Sequence, residues 1–318
     1  MGAAIPPHDA PELLHPQETG AAGACQPSAP EPRRLRPHEI PHPTLAADTD
    51  PAAERVQLAI YRDMTPARKL QLVLEGIHLS RDLALTGLRA RHPAAKPDEL
   101  RRRLYSLELG EELATKVYGL LRRAMTPSLW AVPLQVIAVL ENLGVRHHVG
   151  GSFASSIHGV PRQTRDLDLV AELMPGHVAT FAARLQADFY LDEKAMRRAI
   201  ERRSHFNLVH HATGFKVDLF VSGAGAFDRA EMERATPYPL GEDPPRSVLI
   251  KSAEDTLLRK LAWYRLGGEI SDRQWTDILG IVQTQAGRLD LSYLRAWATP
   301  LDVADLLDRA LSPEDSGR

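Results

Sequence analysis

The chain has 318 residues, enough for two domains, and its 43% hydrophobic and 25% charged residues are those of a globular protein with a sizeable core. A formal net charge of -2 and a pI of about 6.7 exclude a global basic field that would draw it onto nucleic acid or an anionic membrane. One cysteine, Cys25, excludes an intramolecular disulfide and any cysteine-based metal site. That usage fits a reducing compartment. No apolar run approaches the roughly 18 residues of a membrane span, and the first residues show neither a basic start nor an apolar core. A cytoplasmic protein without a membrane partner is therefore expected.

Residues 1–50 are dense in proline and poor in large apolar side chains. Such a segment cannot bury enough surface to offset its ordering entropy, so a disordered tail is expected. Residues 52–126 read as a helical unit. Thr65 is suited to an N-cap and Pro66 to the first helical position. Leu70, Val73, Leu74, Ile77, Leu79, Leu83 and Leu85 then recur at roughly helical spacing until His92-Pro93. A second helix starts at Pro97 with acids in its first turn, and its Arg101, Arg102, Arg103, Arg122 and Arg123 read as a solvated face.

From 128 the pattern alternates. "PSLWAVPLQVIAVLENLG" is an amphipathic helix closed by Gly144, "VRHHVG" a short strand, "RDLDLVAEL" a second strand and "PGHVATFAARLQA" a helix. "HFNLVHHATGFKVDLFVS" reads as a hairpin turning at Gly214, and "RSVLIK" as another strand. Four helical stretches follow to residue 312. The expected divisions are a tail (1–50), an N-terminal helical unit (52–126), a catalytic core (128–250) and a C-terminal helical segment (251–312).

The chemistry concentrates in "VGGSFASSIHGVPRQTRDLDLV", residues 149–170. A strand runs into Gly150-Gly151-Ser152 and small residues then open a helix. Free backbone N–H groups at a helix start attract anions, and glycine lets a phosphate come close. Asp166 and Asp168 stand two apart on a strand and so project from one face. Two carboxylates so close repel unless a cation lies between them or they face water, and magnesium takes one or two carboxylates together with substrate phosphates. Asp218, in the apolar run "FKVDLFV", is unlikely to be buried without a partner or a metal. Three acids on two strands beside a phosphate-sized turn suit in-line nucleotidyl transfer. There the acids hold two metals roughly 3.5–4 Å apart, and Asp218 is placed to assist as base. Arg162 stands just before the acid pair, where its cation can offset carboxylates or meet a phosphate, with Arg165 a weaker candidate. His158 reads as a structural histidine. The pairs His147-His148 and His210-His211 point to opposite faces of a strand and cannot chelate one ion.

Taken together, the Gly-Gly-Ser turn, "HGVPRQTRDLDLV" and the later "VDLFV" resemble the nucleotidyltransferase superfamily related to DNA polymerase β. The likeness is to small bacterial members, which include nucleotidyltransferase toxins of toxin–antitoxin pairs, and it covers residues 135–310. It implies an α+β fold: a small mixed sheet with flanking helices, C-terminal helices, and here a separate N-terminal helical unit. It further implies Gly151 and Ser152 on the nucleotide phosphates, and Asp166, Asp168 and Asp218 as ligands of magnesium, with two ions. Lys260, on the helix that carries Glu254-Asp255, would reach the triphosphate, while Arg273 and Asp277 lie on the next helix. The expected function is magnesium-dependent transfer of a nucleoside monophosphate from an NTP to an acceptor hydroxyl on RNA (tRNA included), protein or a small molecule, with an antitoxin as a partner if the protein is a toxin. Two other readings stand beside it. One is a non-catalytic relative that binds nucleotide or a partner. The other is an Asp-x-Asp glycosyltransferase, which would need a larger nucleotide-binding sheet upstream and would leave the glycine turn unexplained.

Overall fold

In the computed structural model, which describes residues 51–111, 113–114, 131–162, 164, 166–239 and 246–312, the described part begins with three helices. These are α1 (Pro51–Asp63), α2 (Pro66–Arg91) and α3 (Pro97–Leu109). The expected tail, the end of the helical unit with Arg122 and Arg123, and Arg165 lie outside the described residues. Thr65 caps α2 as its sequence indicates, accepting a hydrogen bond from the Arg68 N–H at 3.3 Å. Leu70, Val73, Ile77 and Leu88 of α2 are buried, whereas Leu79 and Leu83 are 58% and 63% exposed. Leu79 follows Ile77 by two residues, about 200° around a helix, so it leaves the buried stripe and Leu83 follows it.

Next come α4 (Ala131–Asn142), which ends before Gly144 at φ +66°, then β1 (His147–Val149), α5 (Gly151–His158), β2 (Asp166–Ala171), a short 3-10 turn (Pro175–His177) and α6 (Val178–Leu185). They are followed by β3 (Phe189–Tyr190), α7 (Glu193–Arg202), β4 (His205–His210), β5 (Lys216–Val221), α8 (Ala226–Glu233), β6 (Thr236–Pro239) and β7 (Ser247–Ile250). Four helices complete the described chain: α9 (Ala253–Leu266), α10 (Asp272–Thr284), α11 (Leu291–Ala298) and α12 (Ala304–Leu311). The class is α+β with a mixed sheet, as expected. Of these elements β3, α7, α8 and β6 were not read from the sequence. No described helix is long and apolar enough to cross a membrane.

The seven strands form one sheet in the order β3-β4-β5-β2-β1-β7-β6. β2 and β5 run parallel at its centre, as do β1 and β7, while the other neighbours are antiparallel. The hairpin read from "HFNLVHHATGFKVDLFVS" is β4–β5, turning at Gly214 with φ +66°. Alternation along β2 buries Leu167, Leu169 and Ala171 and turns Asp166, Asp168 and Val170 to the other face. The main core joins these strands to Phe153 and Ile157 of α5, Val136 and Leu140 of α4, and Leu70, Val73 and Ile77 of α2. A second cluster, built on Leu257, Leu261, Ile281 and Leu306, holds α9–α12 together. Helix α5 lies where the two meet, in contact with β2, α2, α9 and α10.

Candidate active site

The strand-to-helix turn and the acid pair are physically one feature. Gly150 donates its N–H to the Asp168 carbonyl at 2.9 Å, which lays the turn alongside β2. Gly151 has φ +51°, and a Cβ there would sit 1.6 Å from Asp168 Oδ2, so torsion and space both demand glycine. The Ser152 N–H donates to that same oxygen at 3.3 Å. The anion that faces the start of α5 is thus the Asp168 carboxylate. Lys251, buried, brings its Cε and Nζ to 3.5 and 3.6 Å from where a Gly150 Cβ would be, and its ammonium pairs with Glu231 at 2.6 Å.

The third acid joins through register. Parallel pairing sets Asp168 opposite Asp218 and Asp166 opposite Lys216, so all four side chains lie on one face of β2–β5. Asp218 is buried, and it has the partners its apolar surroundings require. The Lys216 ammonium donates to its Oδ2 at 2.7 Å, and the Asn207 amide on β4 donates to its Oδ1. Lys216 also lies 3.2 Å from Asp166 Oδ2, bridging the two acids, and Thr164 donates its hydroxyl to Asp166 Oδ1 at 3.1 Å. Burial lowers the Lys216 ammonium, but Asp218 and Asp166 together outweigh it and leave it above its ordinary value. Among the described residues Asp168 has no such direct cation. Burial, then the charges of Asp166 and Asp218, push its carboxyl up to about 6.

A second wall faces the turn from the C-terminal helices. Arg162 donates through Nε and one terminal nitrogen to both oxygens of Asp277 on α10, at 2.5 and 2.6 Å, and to Ser152 Oγ at 2.9 Å. Lys260 on α9 donates to Asp277 Oδ2 at 2.6 Å. Burial raises the Asp277 carboxyl, but the hydrogen bonds from Arg162 and the charge of Lys260 outweigh it and hold it below the usual range. Burial likewise outweighs Asp277 at Lys260 and lowers its ammonium. The structure therefore gathers Gly151, Ser152, Asp166, Asp168, Asp218, Arg162 and Lys260 in one place. Sequence reasoning missed Lys216, Asn207 and the anchoring role of Asp277. Lys216 had a signal, since it stands two residues before Asp218 just as Asp166 stands two before Asp168. Asn207 and Asp277 had none short of the register and the helix packing that deliver them.

Two of the histidines have partners within the fold: the His158 ring contacts the Lys251 carbonyl at 2.7 Å and His148 faces Glu231 at 3.2 Å. No three of His, Cys, Asp and Glu among the described residues form a ready-made metal cage. The donor set is nonetheless all carboxylate oxygen, which suits a hard cation such as magnesium. Asp168's raised carboxyl marks a place where added positive charge would be favourable even with Lys216 present.

Residues 62–106 match the model of a family described as Rv0078B-related antitoxin. No curated protein is significantly similar to the chain. Among solved structures, it is similar to an antigenic nucleotidyltransferase-like protein from Paracoccidioides brasiliensis, with 18% identity over 54% of this chain and 90% of that one and a TM-score of 0.33. It is also similar to the antibiotic-resistance factor ANT(2'')-Ia, with 16% identity over 56% and 95% and a TM-score of 0.35. A third is the DncV cyclic AMP-GMP synthase of Vibrio cholerae, with 13% identity over 85% and 77% and a TM-score of 0.20.

Proposed function

We propose that the chain is a magnesium-dependent nucleotidyltransferase that moves a nucleoside monophosphate from an NTP to an acceptor hydroxyl, in the cytoplasm. The observation that carries this reading is the meeting of Asp166, Asp168 and Asp218, in register on β2 and β5, beside the Gly151–Ser152 turn. In the reaction the acceptor oxygen bonds to the α-phosphorus while the bond to the β-phosphate oxygen breaks. Pyrophosphate leaves with that electron pair, and the acceptor proton passes to a carboxylate of the set. Bound magnesium, as one or two ions, would be held by Asp166, Asp168 and Asp218 and would polarise the phosphate oxygens. This chain's own cations do the rest. Arg162 and Lys260, fixed in direction by Asp277, present positive charge to the triphosphate from the wall opposite the acids. Gly151 lets the turn lie against Asp168, and the Ser152 hydroxyl, which accepts from Arg162, keeps its own proton to donate to a phosphate.

The match of residues 62–106 to an antitoxin family supports placing the protein with toxin–antitoxin systems, the antitoxin-like segment being part of the same chain. The acceptor is an RNA, a protein or a small alcohol. A non-catalytic nucleotide binder is the second reading, favoured by the Lys216 ammonium between Asp166 and Asp218.

The test incubates the protein with α-labelled NTPs, magnesium and total cell RNA and protein. Label should enter an acceptor band, and Asp166→Asn or Asp218→Asn should abolish it while circular dichroism stays that of the parent. Labelling by the variants at the parent's rate removes the acids from the chemistry, and magnesium-dependent NTP binding without transfer favours the second reading.

A further inference from the structure

We infer that one face of the catalytic core, made of α5, the β4–β5 turn and the end of α10, is a docking surface for an antitoxin-type helical hairpin, and that α1–α3 occupy it in cis and restrain the site. This inference rests on the proposed function for the chemistry being restrained, though not for the docking itself. The matched stretch, 62–106, includes Arg62, Leu70, Val73, Ile77, Arg81 and Tyr105 of the contact.

At the centre, Leu70, Val73 and Ile77 of α2 join the same core cluster as Phe153, Ala154 and Ile157 of α5. Helix α5 is the one that opens with Gly151 and Ser152, so α2 packs on the element that carries the turn. Lys69 is buried beside this seam, where burial, then the charge of Arg288, lowers its ammonium to about 8. A buried lysine costs stability and is a poor device for simple adhesion.

One end of the hairpin grips the β4–β5 turn. Arg81 forks onto Glu108 of α3 with two bonds of 2.7 Å and donates a third, also 2.7 Å, to the Thr213 carbonyl. Tyr105 fills the space over Gly214, where an added Cβ would lie 2.4 and 2.5 Å from its ring carbons. Gly214 is two residues from Lys216, whose ammonium bridges Asp166 and Asp218. Helix α1, which leads into the hairpin, holds the last turn of α10: its Arg62 donates to the Gln283 carbonyl at 2.7 Å, and Arg288 donates to the Arg62 carbonyl at 3.4 Å. Asp277, which fixes Arg162 and Lys260, lies on that same helix. Helix α1 and the hairpin thus tie the supports of both walls together. Any parting of the walls to admit a triphosphate and an acceptor works against this tie. In a two-chain system the same surface would be met from outside.

The full-length protein and its Arg81→Ala, Tyr105→Ala and Leu107→Ala variants decide this, Leu107 being an exposed control on α3. Amide hydrogen exchange is read over 149–152 and 211–218, and transfer of labelled nucleotide is read in parallel. Arg81→Ala and Tyr105→Ala should each raise exchange in both segments about tenfold, as expected when a charge-assisted or buried contact is lost. They should raise transfer severalfold, while Leu107→Ala changes neither. Unchanged exchange in 149–152 and 211–218 overturns the docking surface. Raised exchange with unchanged or lower transfer overturns the restraint. If no protein, the parent included, transfers nucleotide, the transferase reading fails separately, and the exchange result alone decides the docking surface. Should either variant fail to fold, Arg81→Lys, which keeps the charge but loses the fork, carries the same test.

Discussion

Replacing Asp168 by asparagine removes one of three like charges that the β2–β5 register forces together, and it does so without changing the side chain's shape. The amide oxygen can still accept the Ser152 N–H. In the folded protein the carboxyl is raised from 3.8 to about 6, by burial first and then by Asp166 and Asp218. Each unit between folded and unfolded values is worth 1.36 kcal/mol, so the ionised carboxylate costs the fold about 3 kcal/mol at neutral pH. A raised acid stabilises the folded protein fully below its unfolded value and loses that contribution as pH climbs through the folded one. The parent therefore forfeits stability between about pH 4 and 6, and Asp168→Asn does not. With a chelator present at pH 7.5, the variant should be more stable by roughly 1–3 kcal/mol, a rise of several degrees in Tm for a chain of this size. At pH 4.5 most of the gap should close. Magnesium should reverse the order, because it binds the folded parent through a carboxylate the variant lacks. Thermal unfolding followed by circular dichroism at the two pH values, with and without magnesium, reads all of this. A variant that is no more stable at pH 7.5, or whose advantage does not depend on pH, refutes the crowding argument. The same substitution should abolish nucleotide transfer, so stability and function are expected to part company at this residue.

Other substitutions probe the remaining parts. Gly151→Ala forces a left-handed backbone costing about 1–2 kcal/mol and displaces Asp168, so urea midpoints should fall and transfer should vanish. Asp277→Asn leaves Arg162 and Lys260 without their shared carboxylate, for a loss of roughly 3 kcal/mol in denaturant titrations. Because the Asp277 carboxyl is held below 3.8, its contribution stands above that pH and is lost as pH falls below it, so parent and variant should converge in acid. Lys216→Met leaves Asp166 and Asp218 without their bridging cation and should lower stability by about 2 kcal/mol in chelator. Its Tm should then rise more steeply with magnesium than the parent's.

Much of this site could be read along the chain because its signals are local. Glycine before a helix, acids two apart on a strand and a lone acid in an apolar run each have a cost that neighbouring residues reveal. The hairpin and the ends of α2 were legible for the same reason, through Gly214 and through Thr65-Pro66 with His92-Pro93. Most of what escaped had no local mark, Lys216 and α7 excepted. The short β3 and β6 are too brief to show a period and α8 is polar, whereas α7 carries a legible stripe of Met196, Ala199 and Ile200; the exposed Leu79 and Leu83 fitted a stripe that the helix geometry does not keep. Asp277 looks like any acid on a helix until Arg162, 115 residues earlier, closes on it.

The sequence by itself marked Gly151, Ser152, Asp166, Asp168, Asp218 and Arg162 as candidates for the chemistry, and the family resemblance added Lys260. Only the tertiary structure decided how they combine. Parallel pairing of β2 with β5 places Asp168 opposite Asp218 and slides Lys216 between the acids, and no spacing along one strand predicts the register of two. Packing of α2 on α5 likewise turned an anonymous helical unit into part of the wall behind the turn. Burial, set by the whole fold, raises Asp168 together with its acid neighbours, whereas Arg162 and Lys260 lower Asp277 against the same burial. Identical side chains thus come to hold their protons differently because of the neighbours that folding gives them.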